Sequence, residues 1–180
     1  MAGLQKQEHT SPFLSREDCI LDSGRFRQAN PENTWGEELA DDEFPPTFPG
    51  LAKMIGISPE SIGGGECTVS TVVQNEHLNA GGVAHGGLHA TMLDTALGGA
   101  LVSALSKEEW CATAEIDVSY IRPAIEGDTL EASGRVVKRG KNLAHMEGEI
   151  IDHNGRLIAT AKGTWAIWIP SGPGRPGNRR

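Results

Sequence analysis

The fold is decided by residues 86–106, which read GGLHATMLDTALGGALVSALS. Apolar side chains recur here at every third or fourth position, which is the spacing of one face of an α-helix. Asp94 is the only formally charged residue of the stretch. A membrane span is disfavoured, because His89, Asp94 and four glycines would lie in lipid without partners. The pattern therefore predicts one long helix buried against other structure.

Sheet patterns follow the helix. Asn154-Gly155 favours a two-residue hairpin turn between the last two strands. Another strand is predicted before the helix, at about 65–74. One long helix with an antiparallel sheet of about five to six strands predicts the α+β class. Apolar and polar residues alternate along four predicted strands, at 111–121, 129–137, 144–151 and 157–169.

Proline marks the boundaries of the predicted domain. Nine of the ten prolines lie before residue 60 or from residue 170 onward. We therefore expect one folded domain at 51–169, within the size range of a single hydrophobic core. Residues 1–50 are expected to form an acidic, proline-containing extension that is partly disordered. Residues 170–180 are expected to be a disordered tail.

Charge and cysteine content restrict the partners and the compartment. The net charge of −8 argues against nucleic-acid binding, which needs a basic face. The three cysteines, Cys19, Cys67 and Cys111, are far apart and odd in number, which favours reduced thiols inside a cell. The first twenty residues lack the apolar core of a signal peptide. We expect a cytoplasmic protein, and the mitochondrion stays open as a second compartment.

A glycine-rich segment leads into the predicted helix. Residues 77–87 read HLNAGGVAHGG. Glycines allow a tight turn and a close approach of the backbone to a ligand. The helix start that follows has unpaired N–H groups and a partial positive charge, so it could polarise a carbonyl and hold an oxyanion. The plainer alternative is an ordinary glycine-rich helix start.

Asp94 is the candidate catalytic carboxylate. A lone carboxylate on an apolar helix costs free energy unless it is paired or functional, and a structural aspartate bonded to backbone is the alternative. Gly86 and Asp94 are eight residues apart, which is about 12 Å along a helix axis. Two catalytic groups must each come within about 3 Å of the reacting atom. One chain cannot easily supply both, so the spacing suggests a dimer with shared active sites.

The ordered motif carries a family resemblance. His-x-Asn-x-x-Gly-x-x-His-Gly-Gly begins at His77 and is followed by Leu-Asp at the helix centre. Together with the strand and its exit at 117–124, it resembles the hotdog-fold acyl-CoA thioesterases of the phenylacetyl-CoA-degradation type, over about residues 60–168. The resemblance implies a long central helix wrapped by an antiparallel sheet, and a homodimer that pairs further into a homotetramer. It implies no cofactor, since coenzyme A is part of the substrate.

The resemblance also implies roles for individual residues. The Gly86 N–H would hold the thioester carbonyl, and Asn79 and His85 would shape that end of the site. Asp94 of the partner subunit would act as general base or nucleophile. Thr113 falls where relatives often carry a serine or threonine that helps to place the water. The products would be a free acid and coenzyme A.

Other polar residues are weaker candidates. His85 and His89 could share a helix face as metal ligands, but no third ligand has suitable spacing, so no metal is expected. His77 is expected to be structural. The basic cluster at 138–141 could bind an anionic ligand, and the alternative is that it is simply the solvated turn of a hairpin. Four basic residues could meet the phosphates of coenzyme A, namely Arg122, Lys138, Arg139 and Lys141.

Two rival functions stay open from sequence. The first is a non-catalytic hotdog protein that binds acyl-CoA or regulates through it. The second is a hydratase that acts on enoyl-CoA. The hydratase arrangement fits less well, because it needs both catalytic groups near the helix start and Asp94 follows His85 by nine residues.

Overall fold

The structure, a computed structural model, describes residues 48–170 of the 180-residue chain. Apart from 48–50 and 170, the predicted extension at 1–50 and the predicted tail at 170–180 lie outside the described residues. Within these residues, two α-helices and six strands follow one another in chain order, with a short 3-10 helix (Asn75–His77) between β2 and α2: α1 (Leu51–Met54), β1 (Ser58–Gly63), β2 (Glu66–Val72), α2 (Gly86–Ala104), β3 (Trp110–Tyr120), β4 (Thr129–Arg139), β5 (Leu143–Asp152) and β6 (Leu157–Trp168).

All six strands form one antiparallel sheet in the order β1-β2-β4-β5-β6-β3. The long helix α2 packs against the inner face of this sheet. The predicted helix and the five predicted strands are all confirmed, with ends that shift by three residues or fewer. The α+β class is confirmed with them. No helix within residues 48–170 is long and apolar enough to cross a membrane.

The core lies between α2 and the sheet. The side chains of the helix that face the sheet are buried because they recur at helical spacing, and each large one contributes roughly 1.5–3 kcal/mol by leaving water. Gly134 on β4 lets the helix lie directly on the sheet, since a Cβ there would meet Ala96 C and Leu97 N at 2.8 Å. The fully buried helix residues are Met92, Leu93, Ala96, Leu97, Ala100 and Leu101.

Strand β1 was not predicted from the sequence. It lacks regular alternation of apolar and polar residues and contains Pro59, which cannot donate a hydrogen bond to a neighbouring strand. Proline is tolerated here because β1 lies at one edge of the sheet. The turn into β2 uses Gly64 and Gly65, both with positive φ.

The predicted β5–β6 turn is in the right place but has the wrong length. The Asp152 N–H donates to the Arg156 carbonyl at 3.0 Å, so three residues separate the paired positions instead of two. Gly155 has a φ of 73°, which suits the third position of a three-residue loop.

The same turn is organised around the carboxylate of Asp152, whose side chain is 0% exposed. Its Oδ1 accepts the backbone N–H groups of Asn154 and Arg156, each at 2.9 Å, and its Oδ2 accepts the Arg156 Nε at 2.6 Å. Burial alone would raise the pKa of Asp152. The hydrogen bonds from Arg156 and Asn154, together with the Arg156 charge, outweigh burial and lower the pKa to about 2.

Replacing Asp152 with Ala should lower the free energy of unfolding at pH 7 by about 1–3 kcal/mol, because it leaves turn N–H groups without their acceptor. The folded-state pKa of Asp152 is depressed, so its contribution is full above the ordinary aspartate pKa of 3.8 and is lost as the pH falls toward about 2. Urea unfolding at pH 7 and at pH 2.5 measures this. The difference from wild type should shrink at the lower pH, whereas Glu131→Ala on exposed β4 surface should change little at either. A loss for Asp152→Ala that did not depend on pH would contradict the ionic role.

Candidate functional site

The start of α2 is held by contacts from the side chain and the backbone of His85. His85 is the N-cap, and its Nδ1 accepts the Gly87 N–H at 2.8 Å. The His85 N–H in turn donates to the His77 carbonyl at 2.8 Å. Gly86 is the first helical residue, so its N–H has no acceptor within the helix. The fold therefore presents that N–H at the positive end of a 19-residue helix.

The loop before the helix is held by Asn79. Its side-chain Oδ1 accepts the Gly81 N–H at 2.8 Å, and its backbone N–H donates to the Val83 carbonyl at 2.8 Å. His77 is buried, and its Nδ1 accepts the Gln74 N–H at 3.0 Å. Asn79 and His85 are exposed at this end of the helix, while the buried His77 supports the loop from the protein interior.

Asp94 lies about midway along α2, beside β3. The Thr113 hydroxyl donates to Asp94 Oδ1 at 2.7 Å. The structure thus brings together two of the residues singled out from the sequence, although they are nineteen positions apart. The helix was predicted to be buried against other structure, but in the single chain Asp94 and Thr113 are both exposed. The physical reason is that, among residues 48–170, the sheet covers α2 from one side only and β3 forms an edge of that sheet.

Cysteine nucleophiles are disfavoured in the described part of the chain. Burial, followed by the negative charge of Asp94, raises the pKa of the Cys111 thiol to about 11. Burial raises the pKa of the Cys67 thiol to about 12. Both thiols are therefore protonated at neutral pH, and the thiolate is the reactive form.

One chain does not bring Gly86 and Asp94 to a common point. They are eight residues apart on the same helix, which is about 12 Å along its axis. Instead, each lies near a different part of β3. Asp94 contacts Thr113 near the beginning of the strand, and Gly86 contacts Tyr120 at its end.

Tyr120 is a site residue that sequence reasoning missed. Its hydroxyl donates to the Gly86 carbonyl at 3.2 Å, and a Cβ built on Gly86 would lie 3.2 Å from its ring. The ring also neighbours His89, with 6.0 Å between ring centroids. In the sequence Tyr120 is one more apolar position of an alternating strand, so no local signal marks it.

His89 is buried on the first turns of α2. Burial lowers the pKa of its imidazole, so the ring is neutral at neutral pH. Neither ring nitrogen has a hydrogen-bond partner within the described structure. Among residues 48–170, no group of three or more His, Cys, Asp or Glu side chains is arranged to hold a metal ion.

The four basic candidates do not form one cluster in a single chain. Arg122 follows the end of β3, and its guanidinium donates to the Leu157 carbonyl at 2.7 Å. Lys138 and Lys141 are exposed at the opposite end of the sheet, where β4 meets β5. Arg139 lies there too, but it forms an ion pair with Glu109 at 2.5 Å.

A family model and several relatives match this chain. The model of the thioesterase superfamily matches residues 81–159. A Caenorhabditis elegans protein that carries the name of an esterase is 38% identical over 104 residues, which cover 57% of this chain and 60% of that protein. A similarly named protein of Pseudomonas aeruginosa is 33% identical over 57% of this chain and 75% of its own length. Human acyl-coenzyme A thioesterase 13 is 33% identical over 51% of this chain and 66% of that protein.

Solved structures are similar to this chain as well. The Escherichia coli PaaI protein from the phenylacetic acid degradation operon has a TM-score of 0.60 and 28% identity, over 64% of this chain and 81% of that chain. A hypothetical thioesterase protein of Streptococcus pneumoniae, solved with coenzyme A, has a TM-score of 0.59 and 26% identity, over 63% and 90% of the two chains. The chain belongs to the thioesterase superfamily and has the hotdog fold.

Proposed function

We propose that this protein hydrolyses acyl-CoA thioesters to a free acid and coenzyme A. The observation that carries the proposal is the hydrogen bond from Thr113 to Asp94, on an exposed face beside a strand edge. Its superfamily membership supports hydrolysis of a thioester, and the name of the human relative supports acyl-CoA as the substrate class.

The proposed chemistry divides between the two ends of the site. The thioester carbonyl oxygen accepts the Gly86 N–H, and the helix start stabilises the negative charge that develops on it. The Asp94 carboxylate then acts in one of two ways. As a general base it takes a proton from the attacking water, the C–S bond breaks, and that proton passes to the leaving thiolate. As a nucleophile it attacks the carbonyl carbon, the C–S bond breaks, and water then hydrolyses the acyl–Asp94 anhydride, which frees the acid and supplies the proton of the thiol. The Thr113 hydroxyl, tied to Asp94, orients that carboxylate and the water beside it. Coenzyme A leaves as the thiol, and the reaction needs no cofactor of its own.

A shared site between two copies of the chain supplies the missing proximity. Thr113 and Tyr120 lie on either side of a point between Ile116 and Asp117, near the middle of β3. If two β3 strands pair antiparallel about a two-fold axis near that point, the partner's Thr113 comes opposite Tyr120. Asp94 of the partner subunit then lies beside Gly86. Within residues 48–170 the outer edge of β3 is unpaired and exposes Ala112 and Ala114, which supports this pairing.

The same pairing would unite the basic residues. It brings the end of the sheet with Lys138 and Lys141 in one copy toward the end with Arg122 in the other. Phosphates of coenzyme A could then contact groups from both subunits. Arg139 would be held in place by Glu109 beside them. A homodimer, and a homotetramer built from it, are part of the proposal, as is a cytoplasmic location.

The test of the reaction is release of free thiol by the purified protein from a panel of short, long and aromatic acyl-CoAs. We expect thiol release that saturates with substrate for at least one acyl group. Saturable binding of acyl-CoA with no thiol release from any of them would overturn the proposal and favour the non-catalytic binding protein.

A further inference from the structure

A tyrosine lies against the proposed carbonyl site. Tyr120 packs its ring on the Gly86 backbone, close enough that a Cβ at residue 86 would lie 3.2 Å from ring atoms Cε1 and Cζ. The proposed carbonyl-binding N–H belongs to that same Gly86. A thioester whose carbonyl is bound to this N–H therefore lies beside the Tyr120 ring.

The Tyr120 ring has contacts on its hydroxyl and on its inner side. Its hydroxyl donates to the Gly86 carbonyl at 3.2 Å, and its inner side neighbours the ring of His89, tilted by 59°. His89 is itself only 3% exposed, so it provides a support with little freedom to move. Tyr120 thus has a partner for its hydroxyl and a neighbour for its ring before any ligand arrives.

The exposed part of Tyr120 is apolar. In the single chain the side chain is 57% exposed, although its hydroxyl is directed at a backbone carbonyl, and the proposed pairing of two chains places it within the shared site. Because the hydroxyl is bonded to the protein, it is ring carbon that is left to contact a ligand. An aromatic surface of this kind buries well against hydrocarbon and gains little from a small polar group.

We propose that Tyr120 determines acyl specificity at this site, by forming the wall against which the apolar part of the acyl group packs. The inference rests on the proposed function for the position of the thioester. It predicts a preference for acyl groups that reach beyond the carbonyl and cover the ring, over the acetyl group, which is too short to do so.

Binding separates this inference from the reaction itself. In an Asp94→Asn background, where hydrolysis should be slow, calorimetry gives the Kd of coenzyme A and of hexanoyl-CoA. Adding Tyr120→Ala should raise the Kd of hexanoyl-CoA by about tenfold, equivalent to roughly 1.4 kcal/mol, and leave that of coenzyme A unchanged. Tyr120→Gln, which removes the ring but keeps a longer polar side chain than alanine, should give the same result if Tyr120→Ala is poorly folded.

Three controls define the outcome. Tyr120→Phe should retain the preference for hexanoyl-CoA over coenzyme A, because the apolar ring remains. Val137→Ala, at an exposed apolar position on a different strand, β4, should change neither Kd. Size-exclusion chromatography and thermal unfolding check the assembly of each variant. Equal weakening of both ligands, or no weakening by either ring-deleting variant, would overturn the assignment, whether or not the wild-type protein releases thiol.

Discussion

Replacing Asp94 with Asn should lower kcat/KM for acyl-CoA hydrolysis by at least about 100-fold, the lower end of what a positioned general base contributes. The amide can still accept the Thr113 hydroxyl, which donates to Asp94 at 2.7 Å, so the local geometry should survive. It can neither take a proton from water nor attack a carbonyl. Because Asp94 is exposed in the chain, the thermal midpoint of unfolding should move little.

Thiol release measured at several substrate concentrations tests this. Glu131→Gln makes the same change of charge on an exposed position of β4 and serves as the matched control. Its kcat/KM should equal that of the wild type. Rates near wild type in Asp94→Asn would mean that Asp94 is a structural residue and that another group activates the water.

Mixing two inactive variants should restore about a quarter of the wild-type activity. One variant is Asp94→Asn. The other is Gly86→Pro, which removes the carbonyl-binding N–H at the first helical position, where proline is well tolerated. If each active site combines Gly86 from one chain with Asp94 from the other, half of the randomly mixed dimers contain one intact site out of two, hence about one quarter.

The mixing experiment needs a control for the bulk of proline, since a Cβ at residue 86 would lie 3.2 Å from Tyr120. Gly86→Ala adds the same Cβ and keeps the N–H, so it should be more active than Gly86→Pro. The variants are unfolded and refolded together, and the mixture is compared with each variant refolded alone. Failure to regain activity, although mixed dimers form, would show that both groups act within one chain.

Local patterns in the sequence were enough to predict most of the fold. The apolar residues spaced three or four apart in 86–106 predicted α2. Strand patterns in the sequence predicted β2 to β6 within three residues at each end. These patterns work because burial of one face imposes a period on the chain. β1 escaped because an edge strand with Pro59 imposes no such period. The β5–β6 turn was placed correctly by its Asn-Gly pair, but its length depends on how Asp152 binds the turn.

The candidate site was predicted only in part. Asp94 and Gly86 stand out locally, as a lone charge and as the start of a helix. Thr113 was expected from the family resemblance, and its bond to Asp94 depends on how β3 lies along α2. Tyr120 could not be found, because nothing in an alternating strand shows which residue meets a helix start.

The sequence by itself therefore determined the class of fold, the helix and the residue types available for thioester chemistry, since each follows from local periodicity or from a short motif. Only the tertiary structure decided the exposure of Asp94, the bond from Thr113, the position of Tyr120 on Gly86 and the separation of the basic residues. The physical reason is that these depend on contacts between segments distant in the chain, and on which face of the helix the sheet leaves uncovered.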